Sequence, residues 1–154
     1  MLQRSGTGGA WLQAGAAPPV PVRCNTGVTL AQALVATGFG YEAGRRKVQG
    51  EVVAAVLPRV RDIRRGGSCA VDLCSVAAGR VDAFYERGVN YWDYAAGGLV
   101  ATEAGARLGG LAGRPASPEL AIAAEPVLFA ELHDLLASLH PDRDDPGPVP
   151  AGPG

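Results

Sequence analysis

The sequence predicts an α/β fold built of stacked layers. Three observations carry that reading. From about residue 60 to residue 140, strand-like and helix-like stretches alternate, the pattern of helices packed on a sheet. The chain has 154 residues, enough for one domain with its own core. Its balance of 47% hydrophobic and 19% charged residues is that of a globular protein.

The elements follow in order. Residues 1–27 are rich in Gly, Pro and Ala and read as a partial segment entering the fold. Within them, "SGTGGA" is a turn, since no strand precedes it and no Lys follows as a phosphate loop requires. "GGAWL" is a candidate short strand, and the prolines of "PPVPV" force an extended path. Residues 28–140 form the α/β domain proper. "LAQALVATGFGY" gives a turn or short helix leading into a buried strand at Leu34–Gly38. In "RRKVQGEVVAAVLPRVRDI" the apolar residues Val48, Val52, Val56 and Leu57 mark an amphipathic helix that Pro58 limits. "VRDIRRGG" then supplies a short strand and a glycine turn.

"SCAVDLCSVAAG" reads as a helix with Ser68 as N-cap and Gly79 as stop, apolar around most of its circumference. "VDAFYER" (81–87) is a strand, and "WDYAAGGLVATEAG" (92–105) is a second helix closed by glycine. "ELAIAAE" (119–125) is a strand, and "PVLFAELHDLLASLH" (126–140) is an amphipathic helix with Pro126 in its first turn. Residues 141–154 hold too much Pro, Gly and Asp to pack and read as a disordered tail.

Several function classes are disfavoured at once. A net charge of −1 offers no electrostatic footprint for nucleic acid or an anionic membrane. No apolar run approaches the ~20 residues of a membrane span. The N-terminus has one early Arg but no signal-peptide core, so the expected location is cytoplasmic. Cys24, Cys69 and Cys74 are read as buried thiols rather than as ligands or a redox pair, Cys69 and Cys74 pointing to different sides of one helix. His133 and His140 lie seven apart on one helix, without a third ligand for zinc.

The chemistry concentrates between Glu86 and Asp93. In α/β folds ligands gather where strands end and helices begin, and "ERGVNYWD" is such a junction. One reading of these residues is structural: Asp93 caps a helix, Glu86 is a solvated strand end and Trp92 fills the core. The other makes Asp93 a ligand for a hard cation, since Mg²⁺ prefers carboxylate oxygen and takes one or two carboxylates beside water and substrate phosphate. The run Ala95-Ala96-Gly97-Gly98 would let the Asp93 helix approach a neighbour closely.

"WDYAAGGLVATEAGA" resembles the second signature of the inositol monophosphatase family, W-D-x-A-[AG]-[AG] followed by an E-A-G segment. The whole of 66–106 follows the family pattern almost position by position, and the resemblance extends over roughly residues 5–137. It implies the C-terminal part of a layered α/β/α/β sandwich of the inositol monophosphatase and sugar phosphatase type. It also implies a Mg²⁺-dependent phosphomonoesterase, homodimeric in its full-length form. The expected partner is a small phosphorylated metabolite such as inositol monophosphate, with neither nucleic acid nor membrane. By position, the resemblance makes Asp93 a metal ligand and Glu86 a contact to substrate hydroxyls. Gly67, Ser68 and Cys69 match a Gly-Thr-Ala segment that lines the substrate pocket.

The family's first signature, D-P-[IL]-D-[GS]-T, does not occur in this chain. One carboxylate cannot hold a two-metal cluster, so the chain is expected to be shortened and inactive alone. Two hypotheses follow. In the first, metal-activated water attacks phosphorus in an inositol phosphate, with histidinol phosphate and nucleotide 3′-phosphates as alternative substrates. In the second, the domain is a non-catalytic binding or interaction module.

Overall fold

The computed structural model describes residues 2–4, by their backbone, and residues 8–145. Two sheets and four helices stack as four layers. Strands β1 (Leu2–Arg4), β2 (Ala10–Leu12) and β3 (Val20–Val22) form an antiparallel three-stranded sheet in the order β1-β2-β3. A 3-10 turn at Leu30–Gln32 leads into β4 (Leu34–Thr37). Helix α1 (Ala43–Val56) and a 3-10 turn over Leu57–Arg59 precede β5 (Asp62–Arg64). Then come α2 (Cys69–Ala77), β6 (Ala83–Glu86), α3 (Tyr91–Glu103), β7 (Arg107–Gly109), a 3-10 turn at Leu111–Gly113, β8 (Ala121–Ala124) and α4 (Pro126–Leu139).

The second sheet runs β5-β4-β6-β8-β7. Its centre is parallel, with β4 pairing both β5 and β6, and its far side is antiparallel, with β8 between β6 and β7. The side-chain period of two assigns its faces. Ala36, Phe84, Ala121 and Ala123 point to the side of α2 and α3. Val35, Ala83, Tyr85, Ile122 and Ala124 point to the other side, where Val52 and Val56 of α1 and Leu128, Leu132 and Leu136 of α4 cover them. The small sheet packs through β1 and β2 on α3. The layers are therefore small sheet, α2 and α3, large sheet, α1 and α4, the α/β/α/β arrangement predicted.

The glycines of α3 set the spacing of the middle layer. A Cβ at Gly97 would stand 3.0 Å from both the Ala70 carbonyl oxygen and the Leu73 Cβ of α2, and one at Gly98 would stand 2.6 Å from Leu108 Cδ2 of β7. That close approach is what the small-residue run supplies.

Several expectations need correction. Trp92 is 79% exposed and Leu57 is 49% exposed, so neither belongs to the core. The strand β7 has three residues, too few to show a period, and does not stand out in the sequence. Residues 141–145, read as the start of an unpacked tail, are engaged. Pro141 is buried, Arg143 pairs with Glu51, Asp144 with Arg87 and Asp145 with Lys47. Their charges find fixed partners on α1 and after β6, which composition alone cannot reveal. The tail expectation applies to 146–154, which lie outside the described residues, as do Ser5–Thr7 of the "SGTGGA" turn.

Candidate active site

The parallel strands β4 and β6 end side by side, and the helices that follow begin there. Between them opens a cleft of about 670 Å³. Such a crevice at the carboxyl ends of parallel strands is the usual ligand position in α/β sheets. Glu86, Asp93, Gly67, Ser68 and Cys69 all line it, as do the side chains of Arg45 and Arg65. The five residues singled out from the sequence, spread over 27 positions of chain, are thus brought to one surface.

Each is held by its local structure. Glu86 is the last residue of β6, and its carboxylate fills the space where a Cβ on Gly38, just past β4, would sit. Burial first, then the negative charges of Asp72 and Asp93, push the Glu86 carboxyl up to about 7, while Arg65 pulls it back. Asp93 is not the N-cap of α3. Asn90 is, and Asp93 occupies the third helical position, its Oδ2 accepting the Asn90 backbone N–H at 2.8 Å in a reciprocal capping box. The box orients the carboxylate and leaves Oδ1 without a hydrogen bond among the described residues.

The floor is the turn into α2. Gly67 adopts φ +87°, a left-handed conformation that suits glycine. Ser68 caps α2 as expected, its Oγ accepting the Val71 N–H at 3.4 Å. Cys69 is buried, and its thiol is pushed up to about 12 by burial, then by Glu86, Asp93 and Asp72. It is a thiol at neutral pH, which removes it as a nucleophile. Beneath it Asp72 is 6% exposed, with Oδ2 making no hydrogen bond among the described residues and its carboxyl raised by burial against the pull of Arg65.

Asp93 offers one hard oxygen ligand, apt for Mg²⁺. Among the described residues no three His, Cys, Asp or Glu side chains stand together as a metal site. The described residues fit one ligand of a metal centre and do not complete one. His133 is otherwise engaged, its Nε2 accepting the Ala112 N–H at 3.1 Å, and His140 closes α4 with φ 49°.

A model of the inositol monophosphatase family matches residues 3–144. The chain belongs to that family. Similar family members include an inositol-1-monophosphatase of Mycobacterium bovis and the inositol-1-monophosphatase SuhB of Mycobacterium tuberculosis. Each is 58% identical over 87 residues, 56% of this chain and 30% of the relative. A Nus factor SuhB of Xylella fastidiosa is 50% identical over 70 residues, 45% of this chain and 26% of that protein. Among solved structures, Mycobacterium tuberculosis SuhB superposes with a TM-score of 0.76 at 44% identity, over 88% of this chain and 53% of that one. An inositol monophosphatase from Anabaena gives 0.69 at 26% identity, over 84% and 54%. The chain thus spans about half the length of the solved inositol monophosphatases that it matches.

Sequence reasoning missed Gly38, Arg45, Arg65 and Asn90. Asn90 left a signal, an Asx residue three before an acidic one at a helix start. Arg45 and Arg65 left none, because a surface arginine looks the same in sequence whether it faces bulk water or a cleft.

Proposed function

We propose that this chain carries the substrate-facing part of a Mg²⁺-dependent phosphomonoesterase for inositol monophosphate or a related small metabolite phosphate. The observation that supports it is the convergence of Glu86, Asp93 and the Gly67–Cys69 turn on one cleft at the ends of parallel strands. In this reading Asp93 is a metal ligand and Glu86 accepts from substrate hydroxyls. Gly67, Ser68 and Cys69 form the wall beside the phosphate ester. When bound, the metal supplies charge neutralisation at phosphate and an activated water. The chain's own residues bind and orient the ester. With one carboxylate ligand, the chain alone is inactive or nearly so. The complete protein is a cytoplasmic homodimer. Among the described residues no helix is long and apolar enough to cross a membrane.

The test is Mg²⁺-dependent phosphate release from inositol monophosphate, histidinol phosphate and a nucleotide 3′-phosphate. It is run on this chain and on the chain joined to the D-P-[IL]-D-[GS]-T segment of a relative. Turnover is expected only in the joined form. Turnover by this chain in the ordinary enzyme range, on the order of 1 s⁻¹ or above, would overturn the inactivity. Its absence from both forms, with every substrate, would favour a second reading. That reading is a non-catalytic interaction module, to which the Nus factor name of one relative points.

A further inference from the structure

The turn between β7 and β8 holds a strained residue. Ala112, inside the 3-10 turn Leu111–Gly113, has φ 52° and ψ 37°, the left-handed region that a residue with a Cβ seldom adopts. Such a conformation persists only where neighbouring contacts hold it. Here His133 of α4 makes the contact, its Nε2 accepting the Ala112 N–H at 3.1 Å. Gly110 closes the base of the turn by donating to the Arg114 carbonyl at 2.8 Å.

The imidazole is held as an acceptor. Its Nδ1 lies 3.0 Å from Asp134 Oδ1, and a carboxylate on that side needs the ring hydrogen there. The neutral ring then keeps its lone pair on Nε2, toward Ala112. Phe129, one turn earlier on α4, stacks on the imidazole with centroids 6.2 Å apart and planes 12° apart, and Arg107 of β7 lies 4.3 Å over the Phe129 ring. The His133 side chain is still 21% exposed, so protons reach it from solvent. The charged groups on the elements packed against it are Asp134, Arg107 and the Arg114–Glu119 pair just past the turn. A proton on Nε2 turns the acceptor into a donor that faces another donor. The bond to Ala112 is lost, while the contact with Asp134 is kept.

The turn heads the segment that braces the cleft. The Ala116 carbonyl accepts the Tyr94 hydroxyl at 2.9 Å, and the Pro118 carbonyl accepts the N–H of Gly88, a cleft residue, at 2.8 Å.

We infer that His133 is a pH-sensitive latch on residues 110–114, holding Ala112 in its left-handed conformation when neutral and releasing the turn when protonated. Closure is favoured at high pH and is lost as pH falls through the histidine range. The latch is independent of the phosphomonoester reading and needs neither metal nor substrate.

Amide hydrogen exchange followed by NMR on this chain, from about pH 8 to about pH 5, tests it. Exchange at Ala112 is corrected for its intrinsic rate at each pH and compared with the β8 amides, which report opening of the whole chain. Relative protection of Ala112 is expected to fall by about tenfold across that range. Its midpoint should coincide with that of the His133 ring nitrogens, read from their chemical shifts in the same titration. His133→Phe keeps a stacking ring and removes the acceptor, so Ala112 should lack protection throughout. His140→Gln removes the other histidine and should leave the response intact. Equal protection at both ends of the range, or a midpoint that departs from that of the His133 ring, would overturn the latch. So would a pH response that survives in His133→Phe or disappears in His140→Gln.

Discussion

The carboxylate of Glu86 occupies the space that a side chain on Gly38 would need. Glu86 ends β6 and Gly38 follows the end of the neighbouring parallel strand β4, and the lack of a Cβ on one is what admits the acid of the other. Gly38→Ala should therefore act through Glu86. The forced shift of a half-buried carboxylate is expected to cost about 1–3 kcal/mol of stability. Glu86→Ala removes the clashing atoms, so the double variant should recover most of the loss. Additive effects in a thermal or urea double-mutant cycle would count against this coupling.

Glu86 also sets a pH dependence. Its folded carboxyl lies near 7 against an ordinary 4.5, raised by burial, Asp72 and Asp93. Folding thus favours the protonated form. The stability tied to that proton is fully present below about 4.5 and is lost as pH rises to about 7, then stays level. Asp72, raised by burial, acts with the same sign. The metal-free chain should lose about 1–2 kcal/mol between pH 5 and 7.5, after allowance for solvent reaching a partly exposed group. Glu86→Gln should flatten that slope and raise the melting temperature at pH 7.5. An unchanged slope in this variant would show that Glu86 does not titrate there.

How much of this was legible in the sequence follows from what each feature depends on. Helix α4 announced itself through Pro126 and the spacing of Leu128, Leu132 and Leu136, and α2 through the cap at Ser68, because those signals are local. The cleft residues Glu86 and Asp93 were visible because a strand–helix junction can be read within eight residues. The Glu86–Gly38 contact was not visible, since it depends on β4 and β6 pairing across 48 positions. Trp92 misled for the same reason. An aromatic at a helix start reads as core, and only the packing of α3 on α2 through Gly97 turns its side chain outward.

Asp93 carries two duties that one substitution can separate. Its Oδ2 closes the capping box on the Asn90 N–H, and its carboxylate is the proposed metal ligand. Asp93→Asn keeps an acceptor for the box and loses the charge. The helix start should weaken by about 0.3–1 kcal/mol through the lost dipole interaction. Mg²⁺-dependent turnover of the joined form should disappear while its circular dichroism spectrum is retained. Full turnover of the Asn variant at limiting Mg²⁺ would remove Asp93 from the metal site.

The strap from Pro141 to Asp145 ties the far side of α1 to the strand end that bears Glu86. Arg87 is the hinge of this tie. Its Nη1 donates to the Arg143 carbonyl at 2.5 Å and its Nη2 to Asp144 Oδ1 at 2.9 Å. Arg143 in turn reaches Glu51 on α1 and the Leu139 and His140 carbonyls at the end of α4. Deleting 146–154 should leave the melting temperature unchanged, since that composition cannot bury enough apolar surface to offset roughly 1–2 kcal/mol of backbone entropy per residue. Deleting 141–154 should lower stability by about 1–3 kcal/mol, because it exposes the surface under Pro141 and leaves the nearly buried Arg87 without its partners. Arg87→Lys, which keeps the charge and loses the fork, should fall between the two. Equal melting temperatures for both deletions would mean that the strap does not hold in solution, and that Arg87 keeps its place by other contacts.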